Sequence, residues 1–295
     1  MTAPVFGFVG FGEAGSRIAG GLRDAGAGEM FAYDIAHNDK IRQRASQANV
    51  ALVGSNAELA ERCSIIFSTV TASSALVAAR QNLPHLAARH TYIDCNSVSP
   101  AAKREIAEVI QIGAARFIEA AVMAPVPKPK GQSVPMLISG TGAGELAESL
   151  AAFGFVMEPL DAPFGTAAAI KMCRSIVVKG LEAVLFECVL GASRFAAEER
   201  VWASLQQSFP GLDWKKLADY MVNRVVVHGE RRAREMDEVA ATLRSIGVEP
   251  MMSEASAHRQ DWGAQLGLAS RFGPEGPATY REVLEALAES AAHNA

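Results

Sequence analysis

The sequence predicts an α/β fold in which a doubly wound parallel sheet is followed by an all-α C-terminal domain, with a long interdomain helix joining the two. Three features predict it: short apolar runs alternate with helical segments over residues 5–157, a proline-free apolar stretch covers residues 165–196, and helical patterns fill the remainder. Strands that alternate with helices are typical of a parallel sheet with helices on both faces. We therefore expect a sheet domain at residues 1–163 and a helical domain at residues 164–295.

The first element is a short strand that runs directly into a glycine-rich turn. Val5–Val9 is followed by Gly10-Phe11-Gly12-Glu13-Ala14-Gly15, and a helix continues to about Ala25. In this context the first glycine permits a tight turn, the second lets the backbone approach a pyrophosphate, and the third lets the helix pack closely on the strand. Phosphates bind at a helix N-terminus because unpaired N–H groups point outward there. The pattern predicts a dinucleotide site in a Rossmann-type domain.

An acidic residue after the second strand supports this interpretation. Met30–Tyr33 ends at Asp34, about 20 residues beyond the last glycine, where a carboxylate can bind ribose hydroxyls. The alternative is a tight turn with Asp34 as a helix cap. A carboxylate at this point repels a 2′-phosphate, and Ile35-Ala36-His37 contains no arginine to bind one. We therefore expect NAD in preference to NADP, although His37 and Lys40 leave NADP open.

The alternation of strands and helices then continues to the end of the domain. The other predicted strands are Ala51–Val53, Ile65–Val70, Tyr92–Asp94, Phe117–Ala120, Met136–Ser139 and Phe153–Met157. The other predicted helices are Asn56–Glu61, which Ser55 can cap, and Ala101–Ile112, which starts with Pro100.

Two of these strands end in small polar residues. Thr69-Val70-Thr71 closes one strand and Asn96-Ser97 follows another. Ligands of doubly wound sheets bind beyond the carboxyl ends of the strands, so Thr69, Val70, Thr71 and Asn96 are candidate cofactor contacts. Asn96 and Ser97 are also candidate substrate contacts. Taken alone, each loop is more typical of an ordinary turn or cap.

A proline-rich segment follows the strand at Phe117–Ala120. Residues Met123–Gln132 include three prolines and two lysines. Proline excludes a helix interior or a central strand. We expect a stiff exposed loop, which also lies where a wall of the active site would be.

The stretch Gly165–Ala196 is apolar around most of its circumference, which predicts a buried helix. Its one polar stripe consists of Lys171, Ser175, Lys179 and Glu182, spaced so that all four lie on one side. A buried lysine is costly unless it is paired or faces a wet cleft. We predict that Lys171 faces a cleft between the domains, and that Lys179 pairs with Glu182. The alternative for Lys171 is an extended side chain paired with a carboxylate.

A lysine acts as a base near neutral pH only when its pKa falls from its ordinary value of ~10.4. Burial in an apolar helix and the cations of Arg174 and Lys179 would each lower the pKa of Lys171. The position is therefore suited to a general acid/base.

The rest of the chain reads as helices. The predicted segments are Ala197–Gln207, Trp214–His228, Glu230–Ile246, Ser253–Leu268 and Thr279–Ser290. A dense charge cluster places His228, Arg231, Arg232 and Glu235 on one helical face. A solvated face with Glu–Arg pairs is the favoured interpretation. The alternative is that some of these cations bind a substrate carboxylate or phosphate.

Composition excludes several classes of function. A net charge of −4 gives no reason to expect nucleic acid or an acidic membrane as a partner. The longest apolar segment is interrupted by charges, and the N-terminus lacks the pattern of a signal peptide. The four cysteines show neither a disulfide nor a metal-binding spacing. We expect a cytoplasmic, metal-free protein with reduced cysteines.

With these residues in hand, the chain resembles the β-hydroxyacid dehydrogenase superfamily, on the side of 6-phosphogluconate dehydrogenase. GFVGFGEAGSRIAGGL resembles the cofactor-binding opening of that family, and Asp94-Cys95-Asn96-Ser97 resembles the segment that reaches nicotinamide and substrate. Phe164-Gly165-Thr166 resembles the approach to the family's catalytic lysine, onto which Lys171 falls. The C-terminal half resembles an uncharacterised domain of phosphogluconate-dehydrogenase-like proteins.

The resemblance implies transfer of a hydride between NAD(P) and the carbinol carbon of a small 2- or 3-hydroxyacid, in a homodimer formed through the helical domain. It makes Lys171 the general acid/base, gives Ser175 a substrate-orienting role, and places Arg234 near the nicotinamide in place of a family lysine. Alternatives are an imine or ketoacid reductase of the same architecture and a catalytically inactive dinucleotide-binding regulator.

Three positions depart from the family pattern. The substrate loop reads Met123-Ala124-Pro125 where the family has Ser-Gly-Gly, Ser175 replaces an asparagine, and Val178 replaces the glutamate of the phosphogluconate enzymes. A 6-phosphogluconate substrate is therefore not expected.

Overall fold

A computed structural model describes residues 4–126 and 130–293. One sheet of eight strands forms the framework of the N-terminal part of the chain. The chain divides into two compact units, Met1–Lys171 and Met172–Ala295. The strands are β1 (Phe6–Val9), β2 (Met30–Tyr33), β3 (Ala51–Leu52), β4 (Ile65–Ser68), β5 (Thr91–Asp94), β6 (Arg116–Val122), β7 (Pro135–Ser139) and β8 (Val156–Leu160). Their order in the sheet is β3-β2-β1-β4-β5-β6-β7-β8.

The helices of the N-terminal unit connect these strands. They are α1 (Glu13–Asp24), α2 (Asp39–Ala48), α3 (Asn56–Arg62), α4 (Ala75–Asn82), α5 (Pro100–Gln111) and α6 (Ala143–Ala151), and α7 (Thr166–Ser193) begins in this unit and continues into the next. The predicted caps are confirmed at two helices: Ser55 Oγ accepts from Glu58 N at 3.1 Å, and Pro100 opens α5 behind the Ser99 cap. The predicted fold class is confirmed.

The strands from β1 to β6 are parallel, but β7 runs antiparallel to β6. A parallel strand requires a crossover connection, usually a helix. The segment from Met123 to Val134 contains prolines and, in its described part, only a single 3₁₀ turn at Gly131–Ser133, so β7 returns beside β6 in the opposite direction. The last strand also begins later than predicted, at Val156 instead of Phe153.

Apolar side chains of the sheet form a core on each face. One core includes stacked rings of Phe8, Phe67 and Phe155, with both centroid separations at 5.5 Å. The other contains Tyr92 and Phe117 with the apolar side of α5. Burying a phenylalanine contributes roughly 1.5–3 kcal/mol, so these rings stabilise the sheet substantially.

The C-terminal unit contains only helices among its described residues. They are the rest of α7, α8 (Glu198–Ser208), α9 (Trp214–Ser245), α10 (Met251–Gln265), α11 (Ala269–Phe272) and α12 (Tyr280–His293). The predicted break at Gly229 is wrong, because α9 continues through it. A Cβ on Gly229 would lie 2.5 Å from Gln260 O, so this glycine permits close packing of α9 against α10 instead of ending a helix.

The prediction that α7 is buried all round is also wrong. Leu185, Phe186 and Val189 are buried, but Val177 is 70% exposed and Val184 is 54% exposed. These two valines are seven residues apart and therefore share a helix face that the described chain leaves uncovered. The homodimer remains a prediction. Among the described residues, no helix combines the length and apolarity needed to cross a bilayer.

Two ion pairs join α7 to α9, and neither is the predicted Lys179–Glu182 pair. Lys179 Nζ lies 2.8 Å from Glu235 Oε2. Glu182 Oε2 accepts from Arg232 Nε at 2.5 Å and from Gln260 Nε2 at 2.9 Å. Burial raises the pKa of Glu235, but Lys179 and Arg231 outweigh it and hold that pKa below its ordinary value.

These contacts also correct the predicted solvated face of α9. Arg232 is only 7% exposed, and its guanidinium forms two hydrogen bonds to the fully buried Glu182. Arg231 is the exposed member and pairs with Glu235 one turn along the helix. The charge cluster is therefore partly a buried structural element.

Replacing Arg232 with Met is expected to lower the free energy of unfolding by about 3–5 kcal/mol, because Glu182 then stays buried without its counter-ion. The double variant Arg232→Met/Glu182→Leu should recover most of that loss. Urea denaturation of the full chain measures both. The control Arg42→Met removes an exposed pair with Asp39 and should cost less than about 1 kcal/mol. Equal small losses for Arg232→Met and Arg42→Met would show that the buried pair is absent in solution.

Candidate functional site

The glycine-rich turn is held tightly against the end of β4. Gly10 has φ +79°, and a Cβ there would lie 2.6 Å from Val70 Cγ1. A Cβ on Gly15 would lie 2.6 Å from Thr69 Oγ1, which itself donates to Gly10 O at 2.6 Å. Thr69 and Val70 therefore shape the turn, and their predicted role as cofactor contacts stays a prediction.

Gly12 differs from the other two glycines because a Cβ placed on it would meet nothing within 4 Å. It is the N-cap of α1, and no side chain hydrogen-bonds to the first turn. The first N–H groups of a helix have no partners within the helix. The backbone at Gly12, Glu13, Ala14 and Gly15 thus presents donors beside open space, which suits a pyrophosphate. Phe11 is fully buried and packs edge-on against Phe8, so it anchors the turn from below.

Asp34 fixes the other side of the turn. Its Oδ2 accepts from Phe11 N at 2.6 Å and its Oδ1 from Ala36 N at 2.7 Å, so the carboxylate cannot swing away. Beside it is a small cavity of about 110 Å³. The cavity is lined by Asp34, His37, Asn38, Ile41, Arg42, Leu52 and Val53. The lining combines polar side chains such as Asp34 and Asn38 with apolar ones such as Leu52 and Val53, which suits an adenosine group, so these residues and the turn together fit a dinucleotide.

Arg42 is a lining residue that the sequence reasoning missed. Arg42 lies two residues beyond Lys40 on the first turns of α2, and it lines the cavity. Its guanidinium donates to His37 O at 3.0 Å and to Asp39 Oδ1 at 2.6 Å. Thr71, by contrast, is exposed and bonds to Ser74 Oγ at 3.0 Å at the start of a 3₁₀ turn.

Polar side chains continue across the sheet at one register position. Ser68, Asp94, Glu119 and Ser139 are paired in register on β4, β5, β6 and β7, and all four are fully buried. Buried polar groups require partners. The partners of this row position the remaining candidate residues.

Asp94 is paired with Lys103 of α5, which is 1% exposed. Lys103 Nζ donates to Asp94 Oδ2 at 2.6 Å and to Asp94 O at 2.7 Å. The second carboxylate oxygen accepts from Asn96 Nδ2, which also donates to Ser68 Oγ at 2.9 Å. Asn96 is thus nearly buried and held by two strands. Lys103 was not singled out in the sequence, although a lysine on the same helix face as Ile106, Ala107 and Ile110 is a visible signal.

Glu119 holds the start of α7. Its Oε2 accepts from Gly165 N at 2.7 Å and from Ser139 Oγ at 3.0 Å, and its Oε1 accepts from Ala168 N at 2.8 Å. A carboxylate at a helix N-terminus satisfies unpaired N–H groups and complements the helix dipole. The sequence analysis also did not single out Glu119, although a charged residue inside an apolar strand is a visible signal.

Lys171 lies one turn further along α7. Its Nζ donates to Ser97 Oγ, which follows β5 directly. Lys171 is half-buried. The contact brings together two of the predicted catalytic residues, which are 74 positions apart in the chain.

Cys95 lies between Asp94 and Asn96 in the chain, and its thiol is not reactive. Burial raises its pKa to about 12, and the nearby cations of Lys103 and Lys171 offset this only in part. The thiol therefore stays protonated near neutral pH and cannot act as a nucleophile.

The other predicted site residues lie in the C-terminal unit. Ser175 follows Lys171 by one turn of α7. Arg234 pairs with Asp237 at 2.9 Å and with Asp261 at 3.0 Å. The roles predicted for Ser175 and Arg234 stay predictions.

The loop after β6 contacts α1, the helix that follows the glycine-rich turn. Arg17 of α1 donates to Val126 O at 2.7 Å, and Gly131 packs against the backbone of the same helix. Residues 127–129 of the proline-rich segment lie outside the described residues.

Comparison with known proteins defines the class of protein. Residues 5–151 match the NAD binding domain of 6-phosphogluconate dehydrogenase, and residues 192–262 match a domain of unknown function, DUF1932. A conserved hypothetical protein from Sinorhizobium meliloti 1021 is 36% identical, with 98% of this chain and 97% of that chain covered and a TM-score of 0.79. The chain therefore belongs to the family of 6-phosphogluconate-dehydrogenase-like NAD-binding proteins that carry this C-terminal domain, and the resemblance is confirmed.

Two further solved structures relate the family to hydroxyacid dehydrogenases. A conserved protein of unknown function, described as structurally similar to 3-hydroxyacid dehydrogenases, is 30% identical over 88% of this chain and 97% of its own, with a TM-score of 0.74. The 3-hydroxyisobutyrate dehydrogenase of Mycobacterium tuberculosis, solved with L-serine, has the same TM-score at 15% identity, over 91% of this chain and 94% of that chain. At 15% identity, the similarity to the Mycobacterium tuberculosis enzyme shows a shared fold only.

Replacing Gly12 with Ala should weaken NADH binding by at least about tenfold while leaving the fold intact. The added methyl group meets no protein atom but occupies the space that the pyrophosphate needs. Fluorescence titration with NADH measures the change. The control Gly144→Ala, on α6, also adds a methyl group in open space and should leave binding unchanged. Equal affinities for the two variants would place the pyrophosphate elsewhere.

Proposed function

We propose that this protein is an NAD(P)-dependent oxidoreductase that transfers a hydride between nicotinamide and the carbinol carbon of a small 2- or 3-hydroxyacid. The observation that carries the proposal is the contact of Lys171 with Ser97 at the edge of the sheet where the glycine-rich turn also lies. The proposed proton-transfer group and the glycine-rich turn thus belong to the same compact unit, Met1–Lys171. The relation to 3-hydroxyacid dehydrogenases supports the same substrate class.

The residues of this chain have separate tasks in the proposed reaction. The bound cofactor supplies the hydride acceptor. Lys171, in its neutral form, takes the proton of the substrate hydroxyl during oxidation, and its ammonium returns that proton during reduction. Ser97 Oγ accepts a hydrogen bond from Lys171 Nζ and so holds the amine in place. Asn96 and Ser97 bind the carbinol end of the substrate, and Ser175 orients it from the next turn of α7.

For the cofactor, we propose NAD in preference to NADP. Two backbone N–H groups hold the Asp34 carboxylate in place beside the cavity, so its negative charge stays where a 2′-phosphate would have to bind. Arg42 is the one arginine among the residues lining that cavity, and its guanidinium is bonded to Asp39 and to the backbone of His37. Rearranging it to bind a phosphate would break these contacts.

The activity is tested by screening 2- and 3-hydroxyacids with NAD and NADP, using the wild-type protein and Lys171→Met. Loss of the acid/base should lower kcat/KM by about 10²–10⁴-fold, with NADH affinity unchanged. The control Lys216→Met removes an exposed lysine of α9 and should keep full activity.

Full activity of Lys171→Met on a hydroxyacid would remove the proposed role of the lysine. Reduction of cyclic imines without oxidation of any hydroxyacid would favour the reductase alternative. Tight binding of NADH with no turnover on any substrate would favour the regulator.

Asp34→Asn is expected to shift the ratio of kcat/KM for NAD over NADP towards NADP by about tenfold, because it removes the charge that repels the 2′-phosphate. The amide oxygen can still accept from Phe11 N, whereas the amide nitrogen cannot accept from Ala36 N, so the side chain should keep one of its two contacts with the backbone. Steady-state kinetics with both cofactors measures the ratio. Glu105→Gln, which neutralises an exposed carboxylate of α5 paired with Arg80, is the control and should leave the ratio unchanged. An unchanged ratio in Asp34→Asn would mean that another residue determines the cofactor preference.

A further inference from the structure

We propose that Lys103 is a positioning residue that fixes the orientation of the Asn96 amide, so that Asn96 can only accept a hydrogen bond from a substrate or cofactor. This inference rests on the proposed function and deepens it. It implies that the Asn96 side chain recognises a hydroxyl or an amide N–H group, and that this side chain does not bind the carboxylate of a hydroxyacid.

Lys103 is in an environment that would otherwise favour an apolar side chain. It is 1% exposed and lies on the side of α5 that also buries Ile106 and Ile110. A buried ion pair adds little net stability compared with well-packed apolar residues. Packing alone therefore does not account for a lysine at this position, whereas its two hydrogen bonds to Asp94 O and Oδ2 do fix the end of β5.

The ion pair with Lys103 leaves one oxygen of Asp94 for Asn96. An ionised carboxylate can only accept hydrogen bonds, so the group of Asn96 that faces it must be the amide nitrogen. Asn96 Nδ2 donates to Asp94 Oδ1 and also to Ser68 Oγ at 2.9 Å. An amide nitrogen has two N–H donors, and both are used by these contacts. The side chain of Asn96 thus has no donor left for a substrate carboxylate.

The opposite end of the amide is an acceptor. Asn96 Oδ1 is buried and has no hydrogen-bond partner among the described residues. Leaving a buried acceptor unpaired destabilises the protein. A ligand that presents O–H or N–H at this point removes that cost. The carbinol hydroxyl of a hydroxyacid is such a group, and Ser97, the next residue, contacts Lys171.

The key variant is Lys103→Met/Asp94→Asn, which removes both charges without leaving one of them buried alone. The asparagine at position 94 can accept or donate, so the Asn96 amide is no longer held in one orientation. On the hydroxyacid with the highest wild-type turnover, kcat/KM should fall at least tenfold, while the Kd for NADH changes less than threefold. Tyr280→Phe is the control, since it removes the hydroxyl that accepts a buried hydrogen bond from Trp202 Nε1 in the helical unit and should keep kcat/KM.

A second measurement tests the orientation without turnover. In the free wild-type protein, NMR should show both Asn96 Nδ2 protons exchanging slowly with solvent, and in the double variant this protection should fall at least tenfold. Loss of protection together with lower kcat/KM supports the proposal. Unchanged protection, or kcat/KM within twofold of wild type, overturns it. If no hydroxyacid is turned over, the proposed function fails, and the exchange measurement by itself still decides the role of Lys103.

Discussion

The candidate site depends on one constraint, which is that the buried polar row across β4, β5, β6 and β7 must find partners away from water. Ser68, Asp94, Glu119 and Ser139 occupy a single register position inside an otherwise apolar sheet. Unpaired, each would destabilise the fold by a few kcal/mol. Their partners come from outside the sheet and from neighbouring members of the row. Satisfying the row therefore also places α5, the start of α7 and the loop after β5.

The two carboxylates of the row, Glu119 and Asp94, position different elements. Glu119 binds backbone N–H groups at the first turn of α7 and so fixes where that helix begins. Asp94 binds a lysine and an amide and so fixes a loop. Because Lys171 is on the first of these elements and Ser97 is on the second, their contact depends on both carboxylates. Neither carboxylate has to touch a ligand to influence the chemistry at the site.

In the helical unit, buried charged side chains also need partners, and their contacts determine how the helices pack. Glu182 and Arg232 are buried together with Gln260, and Lys179 is buried against Glu235. These contacts specify how α7, α9 and α10 pack, since a shifted helix would leave a charge unpaired. Gly229 permits the close approach of α9 and α10 that the network requires.

The sequence determined the local features of this protein. The glycine-rich turn, the acid after β2 and most strands and helices follow from short-range patterns, because steric limits on the backbone and periodic burial act over a few residues. Contacts between distant segments were decided only by the tertiary structure. The expected Lys179–Glu182 pair was wrong because each side chain finds a closer partner on α9, and the antiparallel β7 was missed because direction depends on the connection. Lys103 and Glu119 gave signals as charges in apolar patterns, but their partners, Asp94 and the start of α7, could be identified only once the chain was folded.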